Sequence, residues 1–165
     1  MNKTLLGIIA IVVVLLGGVL IFFPKTSEAP GNSPVVTNST PVPDAQGFTG
    51  KKLALHYYEF TKKDYDGLMN ENQGALLYFY ANWCPICKAQ EPELLKAMNE
   101  GVSGEKVMFR VNYADSDTNQ DEKDIAKAFA VTYQHTFVVV KSDQVIEVVN
   151  GHQTSEDLKK LFSKI

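Results

Sequence analysis

The chain has no basic patch, no phosphate-cradling glycine pattern, no internal repeat and no second pair of cysteines, and each absence closes off a class of function. Its formal net charge is -3 over 165 residues, and its lysines are interspersed with acids, as in Lys62-Lys63-Asp64 and Glu122-Lys123-Asp124. Such a solvated surface gives a polyanion little to hold, so nucleic acid is excluded as a partner. No carboxylate pair stands at a spacing suited to general acid and base work. A closed structural zinc site takes four ligands, and with two cysteines in all there is no second pair to complete one.

Nothing after residue 24 matches the apolar run over residues 5–23, which contains neither a charge nor a side-chain hydrogen-bonding group. As a helix it is long enough to cross the hydrocarbon layer, so residues 1–24 are expected to form a single N-terminal membrane anchor. Lys3 and the amino terminus precede the run, whereas Lys25 and Glu28 roughly cancel after it. The positive-inside bias therefore keeps the N-terminus in the cytoplasm and places the rest outside it, in a single-pass cell-membrane protein. The competing reading is a signal peptide cleaved near Ser27 and Ala29, which would release a secreted protein. Residues 25–50, with Pro30, Pro34, Pro41 and Pro43 among Ser, Thr, Asn and Gly, bury too little apolar surface to fold and are expected to be a flexible linker. The folded domain is then residues 51–165, enough for one modest core.

Within the domain, hydrophobic periodicity predicts a strand at 56–60 and a polar helix capped by Thr61, with Asp64 completing a capping box. Gly74 opens the run Ala75-Leu76-Leu77-Tyr78-Phe79-Tyr80-Ala81, whose length and lack of alternation fit a central strand covered on both faces. A long helix follows from about Cys84, carrying Ile86, Ala89, Leu94, Leu95 and Met98 on its apolar side, with Pro92 inside it. A strand at 107–111 and a helix marked by Ile125, Ala126, Phe129 and Ala130 come next. Strands at 137–140 and 145–149 then form a hairpin around Lys141-Ser142-Asp143-Gln144. The last helix is capped by Thr154 and Asp157 and presents Leu158, Leu161 and Phe162. This order describes a mixed sheet with helices on its faces.

Both cysteines stand in Trp83-Cys84-Pro85-Ile86-Cys87, where the buried strand gives way to the long helix. A two-residue spacer across the first helical turn lets the sulfurs meet. Unpaired amide hydrogens and the positive end of the helix would stabilise a thiolate at Cys84 and make it the attacking group. Cys87, one turn further in, suits the resolving step. Pro85 at the first helical position sacrifices no hydrogen bond. Trp83 offers either an apolar wall for a substrate or a cap on the core. A purely structural disulfide is the bland alternative, but a loop this short would constrain the unfolded chain little.

The segment Ala81-Asn82-Trp83-Cys84-Pro85-Ile86-Cys87-Lys88 resembles the active-site signature of the thioredoxin-like superfamily, and in particular its membrane-anchored extracytoplasmic bacterial members. Pro92 falls where that family has a kinking proline, and Gly151 matches a glycine near its substrate groove. The resemblance covers residues 51–165. It implies a thioredoxin-like three-layer α/β/α domain with a mixed central sheet, here preceded by one transmembrane helix, and a thiol-disulfide oxidoreductase activity. Cys84 would be the nucleophile and Cys87 the resolving cysteine, with Trp83, Pro85, Gln134, His135, Thr136 and Gly151 around a substrate groove beside the exposed Cys84. No cofactor is implied beyond the redox-active Cys84-Cys87 disulfide. The implied partners are exported protein thiols or disulfides and a redox partner in the same membrane.

Two positions depart from the family pattern. Where cytoplasmic thioredoxins have a buried acid that assists proton transfer to the second cysteine, this chain has Tyr78, whose hydroxyl is a poor base because its reference pKa is about 10. Water or another group, Glu59 among the candidates, would then handle the proton. Where the family has a cis proline facing the cysteines, this chain has His135. An imidazole there would either pack and hydrogen-bond, or favour the Cys84 thiolate when protonated, or complete a metal set of Cys84, Cys87 and His135. The alternative function is accordingly a metal-handling or copper metallochaperone domain.

Overall fold

The computed structural model describes residues 47–100, 102 and 106–165. The expected anchor (1–24) and the linker as far as residue 46 lie outside the described residues. Among the described residues, no helix is long and apolar enough to cross a membrane.

Among the described residues, ten elements follow one another: β1 (Lys52–Ala54), β2 (Tyr57–Glu59), α1 (Lys62–Asn70), β3 (Gly74–Tyr80), α2 (Pro85–Glu100), β4 (Val107–Asn112), α3 (Gln120–Ala128), β5 (Thr136–Lys141), β6 (Gln144–Asn150) and α4 (Ser155–Phe162). The strands form one sheet in the order β1-β2-β4-β3-β5-β6. β2, β4 and β3 run parallel, whereas β1, β5 and β6 join antiparallel, so the sheet is mixed as expected. β3 is hydrogen-bonded on both sides, and alternate residues supply two cores. Leu76 and Tyr78 face one cluster with Leu94, Met98, Leu158 and Phe162 of α2 and α4. Ala75, Leu77 and Phe79 face the other, with Tyr65 and Leu68 of α1 and Ala126 of α3. This is the three-layer α/β/α arrangement, and it explains the unbroken apolar run of β3. Each such fully buried large side chain contributes about 1.5–3 kcal/mol.

The caps are largely as read. Thr61 and Thr154 accept from the amides of Asp64 and Asp157, and the Thr154–Asp157 box is complete. Asp64 departs from the expected box. Its carboxylate accepts from the Thr49 and Gly50 amides at 3.0 and 2.7 Å and from the Thr49 hydroxyl at 2.9 Å. Phe48 meanwhile packs against Tyr58 and Phe109. Residues 48–50, assigned above to the linker on composition, are therefore bound to the domain, because one carboxylate satisfies the backbone donors of Thr49 and Gly50.

Two further differences have local causes. β1 pairs with β2 through a two-residue turn in which His56 is left-handed (φ 55°), a hairpin too short to show periodicity. The buried side of α2 is Cys87, Gln90, Leu94, Ala97 and Met98, while Ile86 and Ala89 face out. The helix is thus rotated from the expected register so that the cysteines, rather than Ile86, meet the sheet. The β5–β6 turn is the one expected, with Ser142 and Asp143 both left-handed as a two-residue hairpin requires.

Candidate active site

β3 ends at Tyr80, Ala81 accepts the Cys84 amide at 3.1 Å, and α2 begins at Pro85, so Cys84 is the residue that opens the helix. Its sulfur accepts the Cys87 amide at 3.2 Å, acting as the helix's own side-chain cap. Cys84 and Cys87 are joined as a disulfide across the first turn, with a Cα–Cα distance of 5.3 Å. Once reduced, Cys84 would have an amide donor and the helix dipole already directed at its sulfur, and both favour thiolate.

The expected exposure of Cys84 is not found. Cys84 is 1% exposed and Cys87 is fully buried, and both belong to the cluster that contains Tyr78, Ala81 and Phe137. The surface around them comes instead from their neighbours. Trp83 is 55% exposed and Ile86 58%, so of the two readings of Trp83 the core cap is set aside. Its indole donates to the Ala114 carbonyl at 3.0 Å. Pro85 is exposed, and Gln134 and Gly151 are partly so. Thr136 is buried, its hydroxyl donating to the Asn150 side-chain oxygen at 2.7 Å with the Tyr133 carbonyl 2.9 Å away. That side chain therefore holds β5 to β6 rather than facing outward.

His135 lies where the register anticipated. Ligating atoms of Cys84, Cys87 and His135 all fall within 4.8 Å of one another. Its backbone is left-handed (φ 61°), its amide donates to Phe79 at 2.7 Å, and its carbonyl accepts from Gly151 at 3.1 Å. Gly151 is itself left-handed (φ 86°), and the space where a Cβ would project is open, so its requirement for glycine is conformational. The imidazole stands edge-on to Tyr78 and Phe137, with Nδ1 3.4 Å from the Tyr78 hydroxyl. Burial, with a smaller contribution from His152, lowers the His135 pKa against the opposing hydrogen bond from Gly151. With the disulfide closed, the balance favours the neutral imidazole.

Tyr78 donates to the Cys87 carbonyl at 3.3 Å. Burial, then the field of Glu91, pushes its phenol pKa far up, so it is no proton acceptor. Glu59 is held by Arg110 at 2.9 Å. The carboxylate that acts on Tyr78 is Glu91, one turn after Cys87 on α2, whose own pKa burial raises against the pull of Arg110.

Several supporting residues escaped the sequence reading. The Asn82 amide donates to Asp115 at 2.8 Å and its side chain to Ser116 and Asp117, so the loop after β4 braces the turn before Cys84. The turn-forming composition Asp115-Ser116-Asp117-Thr118 was the available signal. Gln90, fully buried, donates to the Gln153 carbonyl at 2.6 Å and accepts its amide at 2.8 Å, while Glu93 accepts the Ser155 amide at 2.7 Å. α2 thereby clamps the segment carrying Gly151, which in turn holds His135. Gln90 lies one turn from both Cys87 and Leu94, a spacing visible in sequence but obscured by its polarity.

An α/β/α domain that presents a two-residue-spaced disulfide at the start of its central helix defines a class of proteins built for dithiol-disulfide chemistry. The family model for thioredoxin matches residues 56–164, and the chain belongs to the thioredoxin family. Thioredoxin 2 of Plasmodium berghei is 33% identical over 108 residues, 64% of this chain and 64% of that protein. Thioredoxin-T of Drosophila melanogaster is 31% identical over 97 residues, 59% of this chain and 57% of that one. The chain thus spans less than two thirds of the length of these curated relatives. Trxlp from Edwardsiella tarda EIB202 has a similar fold, with a TM-score of 0.54 at 22% identity over 64% of this chain and 97% of that structure.

Proposed function

We propose that the chain is a thiol-disulfide oxidoreductase acting on protein or peptide disulfides outside the cytoplasm, held at the membrane by residues 1–24. The observation that carries the activity is the Cys84–Cys87 pair opening α2, with the Cys87 amide directed at the Cys84 sulfur. In the reducing direction the Cys84 thiolate attacks a substrate disulfide, forming a mixed disulfide and expelling one substrate thiolate. The Cys87 thiolate then attacks the Cys84 sulfur, which expels the second substrate thiolate and closes the Cys84–Cys87 disulfide. Two electrons pass to the substrate, and the reverse sequence oxidises a dithiol. Because Cys84 is almost fully buried, exchange requires a local shift that opens its sulfur. The exposed Trp83 and Ile86 on either side support a peptide substrate, since they offer apolar surface without enclosing a small molecule. The uncharged run at 5–23 supports the anchor, and an outward-facing pair would draw on a redox partner in the same membrane.

The test is exchange between the full chain and a disulfide-bonded peptide, started from either redox state. Wild type should turn over, Cys84→Ser should lose all activity, and Cys87→Ser should accumulate a mixed disulfide on non-reducing gels. A folded wild-type protein that exchanges with no peptide would refute the activity. The direction of flow follows from the potential: a value well below about -220 mV marks a reductant and one near about -120 mV an oxidant.

A further inference from the structure

We propose that the reduced site is a Cu(I) site, with the sulfurs of Cys84 and Cys87 and Nε2 of His135 as its three ligands, a capacity that goes beyond disulfide exchange and does not depend on it.

Three observations converge. Ligating atoms of the three residues lie within 4.8 Å of one another, and no other His, Cys, Asp or Glu among the described residues joins the group. The three side chains are buried, with Cys84 1%, Cys87 0% and His135 2% exposed. Within this dry cluster, His135 Nε2 is a buried nitrogen with no hydrogen-bond partner among the described residues. A buried polar atom left unsatisfied is destabilising. His135 also holds a left-handed backbone, which is strained for a residue with a Cβ. Two such costs at one residue beside a dithiol are what a ligand position would show.

The other ring nitrogen explains the orientation. Nδ1 lies 3.4 Å from the Tyr78 hydroxyl, which leaves Nε2 as the lone-pair donor free for an ion. Backbone bonds to Phe79 and from Gly151 hold the ring's position from both sides. A sulfur and a nitrogen on opposite sides of one ion stand about 4.4 Å apart, and closer when three ligands share it, so the imidazole needs only a small approach, while opening the disulfide lets the two sulfurs separate to share the ion.

The donor set selects the ion. Two thiolates and an imidazole suit soft cations, and a buried three-ligand group matches trigonal Cu(I) better than Zn(II), which takes a fourth ligand. The disulfide must first be opened by a dithiol, which gives two electrons and two protons and itself becomes a disulfide. Cu(I) binding then releases the two thiol protons to solvent and forms two Cu–S bonds and one Cu–N bond. Metal and disulfide are therefore mutually exclusive states of one pair of sulfurs.

The experiment titrates the full chain, reduced with a phosphine under anaerobic conditions, with Cu(I) against a chromophoric chelator. One Cu(I) per reduced chain and none on the oxidised chain are expected, with at least about tenfold weaker binding in His135→Ala. X-ray absorption at the copper edge of the wild-type protein should give two sulfurs and one nitrogen. This readout stands even where the variant fails to fold. A sulfur-only shell, unchanged affinity in a folded His135→Ala chain, or retention of Zn(II) where Cu(I) is lost to the chelator would each overturn the proposal. Because peptide exchange is scored separately, an active chain without copper refutes this site alone.

Discussion

Tyr78 occupies the position from which an acid would serve Cys87, yet its phenol is buried, its pKa is driven up by that burial and by Glu91, and its proton is directed at the Cys87 carbonyl. The hydroxyl therefore positions groups and does not transfer protons. Tyr78→Phe is expected to lower stability by about 0.5–1.5 kcal/mol, the net worth of one hydrogen bond, as read by denaturant unfolding. Peptide exchange at neutral pH should stay within about threefold of wild type, since a general base contributes about a hundredfold or more. A loss of that larger size would mean that the hydroxyl does carry the proton. The same residue shows where sequence reading works. The poor basicity of a tyrosine was legible from its identity alone, but Glu91 as the nearby acid was not, because the rotation of α2 decides which of its carboxylates meets β3.

At the scale of elements, α1 and α2 each hold a loop that periodicity could not place. Burial pushes the Asp64 pKa up, but hydrogen bonds from Thr49, Gly50 and Thr61 outweigh it, so the folded carboxyl titrates below its ordinary value. A depressed folded pKa means stability that is present above the unfolded value, about 3.9, and is lost as pH falls through the lower folded value. Asp64→Ala should therefore cost about 1.5–3 kcal/mol near neutral pH, with the gap to wild type closing as the pH drops below about 4. Unfolding curves at a series of pH values check this, and a gap that widens in acid would refute it. On α2, Gln90 satisfies both the amide and the carbonyl of Gln153. Replacing it with leucine leaves both unpaired, at about 1–3 kcal/mol for each buried group. Hydrogen exchange at the Gln153 and Gly151 amides should accelerate by at least tenfold, while the amides of β3 stay protected.

For the whole molecule, the test concerns the apolar run at 5–23 that precedes the folded domain in sequence. The anchored reading predicts that the protein stays with membranes through high-salt and carbonate washing. Protease applied to the outer side of spheroplasts should release a soluble domain by cutting between residues 24 and 47. A mature soluble form that begins after Ala29 would establish cleavage instead.

The sequence by itself determined the layer architecture, the order of the main strands and helices, the caps at Thr61 and Thr154, and the disulfide at the start of α2. These follow from local periodicity, capping and a two-residue spacing, which depend on near neighbours in the chain. Only the tertiary structure decided that Cys84 is buried, that Gln90 holds the segment after β6, that Asp64 gathers in residues 48–50, and that Nε2 of His135 is left without a hydrogen-bond partner among the described residues. Each of those depends on groups far apart in sequence, whose meeting is set by how α2 rotates on the sheet and how β5 and β6 pair, and no local pattern records such contacts.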